Sequence, residues 1–208
     1  MAKKGQAKKP KTKLPPKLVK YLEEHGIDHE VLEHKTVYTA MDAAATMRKK
    51  MDEISKSLLV KADKDYYLVL LPADYNLDFK KLGKCIGAQT GKSIKVVKIP
   101  GEKIMEDLLK IRAGTLSAFG KLHKLPVYMD KGLTKAKKAV FAGGSFNHSI
   151  EMAVKDFVRM EEAILGSFGV KKKLKPQKKT KPKKKTTAKK PAAKKPVARK
   201  KPAAKKKS

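Results

Sequence analysis

The chain has 208 residues and carries 52 Lys and Arg against 20 Asp and Glu, a formal net charge of +32. That charge sits at the ends: residues 1–13 hold six lysines, residues 171–208 hold 20 Lys and Arg, and neither stretch has an acid. The stretch from Leu14 to Val170 keeps every acid and a net charge of only +6, with length for one domain and a sizeable core. A single cysteine, Cys85, excludes an intramolecular disulfide and a cysteine zinc cluster. No apolar run has the length of a membrane span, and the lysine-rich start lacks a signal peptide's apolar stretch, so a cytoplasmic location is expected.

In chain order, residues 1–13 read as a disordered basic arm, and Pro15-Pro16 opens a helix with Leu18, Val19 and Leu22 as its stripe and Gly26 beyond its end. A short strand follows around Glu30–Glu33. Thr39 is placed to cap a helix running from Ala40 to about Lys50, with Asp42 three residues on. Ile54–Val60 then reads as a strand that puts Ile54, Lys56, Leu58 and Val60 on one face. An ammonium among aliphatic side chains is costly unless it finds a polar partner or snorkels to water, so Lys56 stands out. Asp63-Lys64-Asp65 is a turn, and Tyr66–Leu71, apolar on both faces, reads as a central strand paired with the one before it.

Asp78 is placed to cap a helix through Leu82 and Cys85, Ser93–Ile99 reads as a strand, and a helix follows whose Ile104, Leu108 and Ile111 share a face. Between Ala113 and Leu125 the pattern breaks at Gly114–Gly120, too irregular for a regular element and too apolar for an idle loop. Strands are expected at Pro126–Met129, around Val140–Ala142 and at Ser149–Val154, with the loop Gly143–His148 between the last two. A last helix is expected from Asp156 to Leu165, with Gly166 and Gly169 closing the fold. The mixture predicts an α+β fold with a compact mixed, largely antiparallel β-sheet or barrel flanked by helices, between disordered basic termini.

Familiar motifs fail on spacing or context. Gly87–Ser93 looks like a phosphate-binding loop, but only three residues separate Gly87 from Gly91, and the order is helix then strand. Gly143-Gly144-Ser145-Phe146-Asn147 lacks the final glycine of a nucleophile elbow and precedes a strand. His25, His29 and His34 read as surface residues, and the five histidines include no HExxH pair, so no metal or cofactor is expected. Two glycine loops with exposed amides remain, each able to cradle a carbonyl, carboxylate or phosphate.

Thr36–Ala44, Ile54–Val60, Leu71–Asp74, Gly114–Gly120, Pro126–Asp130 and Gly143–Ser149 stand in the order of the YbaK/ProX-type aminoacyl-tRNA deacylases. Residues 16–168 resemble that family, the trans-editing relatives of the insertion domain in bacterial prolyl-tRNA synthetase. The resemblance implies hydrolysis of a wrongly attached amino acid from tRNA, Cys- or Ala-charged proline tRNA foremost, without cofactor or metal. It matches Lys56 to the family's functional lysine, Gly114–Gly120 to its glycine-proline loop and Gly143-Gly144 to its second glycine loop. Ala118 stands where the family usually has proline. The expected catalytic set is Lys56, Gly114, Ser117, Gly143 and Gly144, with Lys56 positioning the end of the substrate and loop amides stabilising the oxyanion. Substrate contacts are expected from Tyr38, Thr39, Met47, Ala118, Phe119, Gly120, Ser145, Phe146, Asn147 and His148, with Met47, Phe119 and Phe146 as pocket walls. The substrate's own 2′-hydroxyl or side chain would assist, since no histidine or carboxylate is visibly paired to activate water.

Three segments are therefore expected: the arm 1–13, a deacylase-like domain 14–170 and a disordered Lys/Ala/Pro tail 171–208. The tail resembles those of linker histones and bacterial histone-like proteins. Lys183, Lys184, Lys185, Lys189, Lys190, Lys194, Lys195, Arg199, Lys200 and Lys201 would bind polyphosphate by counterion release. Its expected use is to tether tRNA near the site. DNA or ribosomal RNA would attract the same charge, implying nucleoid or ribosome association, and a synthetase is a further possible partner. The competing reading is a nucleic-acid compaction protein whose deacylase-like domain is inactive.

Overall fold

The computed structural model describes residues 14–112 and 114–172; the arm 1–13 and the tail beyond Lys172, with its ten named cations, lie outside the described residues. Five α-helices are found among the described residues: α1 (Pro16–Glu24), α2 (Ala40–Met47), α3 (Phe79–Thr90), α4 (Glu102–Leu109) and α5 (Val154–Glu161). The strands are β1 (His29–Glu33), β2 (Ser55–Ala62), β3 (Asp65–Pro72), β4 (Tyr75–Leu77), β5 (Val97–Lys98), β6 (Val127–Asp130), β7 (Lys138–Ala142), β8 (His148–Ala153), β9 (Ile164–Gly166) and β10 (Gly169–Lys171). Local chemistry sets the helix starts. Thr39 Oγ1 accepts the Asp42 amide at 3.1 Å, and Asp78 Oδ1 accepts those of Lys80 and Lys81 at 3.0 and 3.1 Å.

A five-stranded sheet in the order β5-β2-β3-β6-β9 forms the centre. Its β3 pairs antiparallel with β2 and parallel with β6, and both its faces are buried, as its unbroken apolar run requires. On one face Val60, Val69, Leu71 and Tyr128 pack under Leu82 and Ile86 of α3 and Phe168. On the other, Leu59, Leu68, Leu70 and Met129 meet Leu18 and Leu22 of α1, Phe157 of α5 and Phe141 and Ile150 of a second, antiparallel sheet, β1-β8-β7. Phe141 and Phe157 stack with ring centroids 4.0 Å apart. The two sheets join through one parallel bridge, Ile54–Val140, and among the described residues no closed barrel forms.

Several boundaries differ from expectation. The Ser93–Ile99 strand shrinks to β5, because the Asp63 carboxylate takes the Lys95 and Val96 amides and holds that segment in a loop. In α4 it is Met105 and Leu109 that pack on the core, while Ile104 and Leu108 are 40% and 46% exposed. Residue Arg48 turns left-handed (φ 53°) and ends α2 before Lys50, and Glu162 (φ 52°) ends α5, leaving Leu165 to the parallel strand β9. The antiparallel β4–β10 pair was not foreseen. It is pinned by buried Asp130, whose Oδ2 accepts the Phe168 and Gly169 amides at 2.8 and 2.7 Å. Strand β10 thus carries the fold past Val170.

Candidate functional site

The two sheets splay apart beyond the Ile54–Val140 bridge, leaving a cleft of about 380 Å³ along the outer edge of β2. Val37, Met47, Ile54, Leu59, Leu116, Val140 and Ala142 supply its apolar lining, and Ile99 and Met105 reach it from the other end. Its geometry follows from strand parity. The Ile54 carbonyl accepts from Ala73 beyond β3, and the Asp63 amide donates the other way, to Val96. Backbone groups alternate along a strand, so those of Ser57 and Leu59 point away from β3 into the gap between β5 and β7. On that side, among the described residues, β2 is paired only at Lys61 and Ala62, with β5, and the first sheet meets β7 only at the Ile54–Val140 bridge. The same parity puts the side chains of Ser55, Ser57 and Leu59 on the face opposite Lys56, and the Ser55 and Ser57 hydroxyls are buried without a hydrogen-bond partner.

A serine–histidine pair stands in the same cleft. His34, just past β1, and Ser149, in β8, both line it, and His34 Nε2 lies 2.9 Å from Ser149 Oγ. His34 Nδ1 lies 2.9 Å from the Lys35 carbonyl, which can only accept, so Nδ1 carries the proton. Nε2 is then the acceptor and Ser149 the donor, the tautomer needed to draw a proton from a hydroxyl. Two further bonds fix this geometry: the His34 amide donates to the Asn147 carbonyl at 3.0 Å and that of Val37 to the Phe146 carbonyl at 2.9 Å. No local signal marks the pair, since 115 positions separate its members.

Lys56 lines the cleft, but its Nζ turns to the other face of β2 and donates to the Tyr75 carbonyl at 2.6 Å. Burial holds its pKa below the ordinary lysine value, helped by the Lys172 charge and opposed by that of Asp74. Its ammonium therefore fastens the turn between β3 and β4 rather than reaching the glycine loops.

The two loops do meet. Gly114 (φ 85°) leaves no room for a side chain beside the Phe146 ring, and Gly144 (φ 77°) lies against Ser117 and Thr115. The Ala118 amide donates to the Ala142 carbonyl at 2.9 Å. Of the expected site residues, Tyr38, Thr39, Met47, Lys56, Gly114 and Ser145 line the cleft. Tyr38 is 74% exposed against Phe146, and Thr39 is engaged in capping α2. Ser145 Oγ donates to Asn147 Oδ1 at 2.7 Å, which also accepts from buried His148 Nδ1 at 2.8 Å, so those three side chains tie the loop internally. Gly143 is packed under Leu14. Ala118, Phe119 and Gly120 are buried in the core, where Phe119 meets Phe157 and Tyr21, so Phe119 is not a cleft wall. Ser117 lies 3.2 Å from Nε2 of His123, whose pKa burial lowers.

A family model of the aminoacyl-tRNA editing domain matches residues 34–160, which takes in α2 to β8, α5 up to Met160 and every lining residue of the cleft. No curated protein matches the chain by sequence. Solved structures share the fold. A hypothetical protein is 20% identical with a TM-score of 0.65, the match covering 74% of this chain and 99% of that one. A candidate trans-editing enzyme for prolyl tRNA synthetase is 22% identical with a TM-score of 0.62, covering 76% and 99%. A scaffold protein computationally designed to present a grafted epitope is 24% identical with a TM-score of 0.61, covering 77% and 100%.

Proposed function

Because the chain belongs to the aminoacyl-tRNA editing domain family, we propose that it hydrolyses the ester of a mischarged aminoacyl-tRNA in trans, in the cleft beside β2. The observation that carries this reading is the His34–Ser149 pair inside that cleft, at 2.9 Å and in the accepting tautomer. The aminoacyl group enters among Val37, Met47 and Ile54, and its ammonium or side chain supplies the bonds that the Ser55 and Ser57 hydroxyls lack. Water attacks the ester carbonyl and gives its proton to Ser149, whose own proton passes to His34 Nε2. The oxyanion is held by amides of the Gly114 and Ser145 loops, each well-aimed donor contributing ~3 kcal/mol. Collapse expels the 3′ oxygen of the ribose, which takes the proton back, leaving a free amino acid and a free tRNA hydroxyl.

Lys56 acts from the rim. By holding the Tyr75 carbonyl it fixes the start of β4; to orient the terminal phosphate or ribose, the ammonium gives up that bond and swings to the cleft. The small apolar cleft suits Cys- or Ala-charged proline tRNA, and the tail beyond Lys172 tethers the tRNA body by its charge. The test is deacylation of a panel of mischarged tRNAs, Ala- and Cys-charged proline tRNA included, by the wild type and by His34→Ala, Ser149→Ala and Lys56→Ala. Losing the base should lower kcat by ~10²–10³ in the first two with little change in KM; loss of Lys56 should act mainly on KM. Wild-type kcat in His34→Ala and Ser149→Ala would remove the pair from the mechanism. No hydrolysis by the wild type on any substrate would end the deacylase reading.

A further inference from the structure

A second concavity, about 650 Å³, lies on the far side of β5 between α3 and the segment Lys92–Val97. From Phe79 to Gly101 the sequence has six lysines and no acid. Lys80, Lys84, Lys92 and Lys95 rim the groove, all exposed. The acids that approach it are mostly engaged. Asp63 accepts the Lys95 and Val96 amides, Asp78 caps α3, and Asp65 forms an exposed 3.7 Å ion pair with Lys92. Lys80, Lys84 and Lys95 have no ion pair among the described residues. The glycines of the phosphate-loop-like stretch are explained by packing. A Cβ on Gly87 would come within 2.8 Å of the Lys92 carbonyl, and one on Gly83 within 3.2 Å of Val97, so the segment lies directly on the helix and its lysines stand at the rim.

Two features point to an extended polyanion with flat apolar groups. Lys80 and Lys84 are one turn apart on one side of α3, about 6 Å along its axis, and Phe79 and Val96 leave 40% and 54% of their surface exposed beside them. Lysines tracking a backbone beside an aromatic platform are the means by which single-stranded nucleic acid is held. The groove is also adjacent to the cleft. Ile99 lines the cleft and Val96 the groove, three residues apart on one extended segment, or ~10 Å. An aminoacyl-tRNA carries its ester on an unpaired 3′ end, so an ester seated in the cleft sends the preceding nucleotides out past β5.

We propose that the groove between α3 and Lys92–Val97 is the track for the unpaired 3′ strand of the RNA, with Lys80, Lys84 and Lys95 on its phosphates and Phe79 under a base. This rests on the editing reading for the position of the ester, and the test separates the two. Full-length wild type, the Lys80→Ala/Lys84→Ala/Lys95→Ala variant and Phe79→Ala are titrated with an RNA hairpin bearing a four-nucleotide 3′ overhang and with its blunt counterpart, across a salt series. The triple variant should bind the overhang hairpin roughly tenfold more weakly, with a log–log salt slope shallower by about 2, since each single-strand phosphate contact contributes ~0.7. Blunt-hairpin binding should be unchanged. Phe79→Ala should weaken overhang binding several-fold and leave the slope alone. Equal loss on both hairpins, or no loss on either, would overturn the track. So would an equal loss for a polyglutamate peptide, which would mark a general anion surface. In parallel, hydrolysis of 3′-aminoacyl-adenosine, too short to reach the groove, should be the same in wild type and triple variant. If the wild type hydrolyses neither it nor any mischarged tRNA while the overhang results hold, the editing reading falls and the RNA track stands.

Discussion

Glu161 shows how one buried carboxylate organises the ground around the site. It is 3% exposed at the end of α5 and accepts from the Tyr21 hydroxyl at 2.8 Å and the Lys121 amide at 3.0 Å, joining α1, α5 and the turn after the first glycine loop. Burial raises its pKa above the ordinary value, while the bonds from Lys121, Tyr21 and Gly120 pull it back. A carboxyl with a raised folded pKa keeps its proton longer in the folded state. Its contribution to stability is therefore fully present below the unfolded value, about 4.5, and is lost as pH rises through the folded value. Glu161→Gln keeps an acceptor for Lys121 and a donor for Tyr21 but removes the charge. The gap in melting temperature between wild type and variant should shift against the wild type as pH climbs from about 4 to 7; parallel profiles would show that Glu161 does not titrate there. Single residues differed in how far they could be read. Strand parity marks Lys56 as out of place, and only the glycine loops and the family resemblance turn that oddity into an expected site residue. His34 looked like a surface residue because its partner, Ser149, joins it only when β1 pairs with β8.

Elements with local signals were legible. The caps Thr39 and Asp78, the Pro15-Pro16 start and the Asp63–Asp65 turn each specify their geometry within a few residues, and α1, α2, α3 and the β2–β3 hairpin formed where those signals lie. The apolar run of β3 likewise announced a strand covered on both sides. Elements whose existence depends on a distant partner were not legible. Strands β4, β9 and β10 have three residues each, too short for any period, and exist because β6 and Asp130 offer them edges and acceptors. The face of α4 was ambiguous for a related reason. Ile104 and Leu108 have helical spacing, but so do Met105 and Leu109 one position on, and only the tertiary neighbours decide which pair is buried. The cleft was the least legible feature, since its walls come from the segment after β1, α2, β2, β7, β8 and both loops.

At the scale of the whole molecule, a mildly basic domain is joined to a tail with no acid from residue 171 onward. If that tail tethers tRNA, a chain cut after Lys172, which spares β10, should keep its melting temperature and lose much of its tRNA affinity. Its salt slope should flatten by about 0.9 for each phosphate contact removed from duplex RNA. Unchanged affinity, measured by filter binding across a salt series, would remove the tail from substrate capture. The domain has its own large-scale feature, the gap where β2 leaves one edge uncovered instead of closing a barrel. Backbone amides along β2 thus fall into two populations by parity: those of Lys56, Leu58 and Val60 face β3, while those of Ser57 and Leu59 face the gap. In hydrogen–deuterium exchange this should give an alternating pattern of slow and fast sites along one strand. A non-hydrolysable aminoacyl-adenosine amide that fills the cleft should slow Ser57 and Leu59 selectively, so an open sheet edge becomes a turnover-free gauge of occupancy at the site.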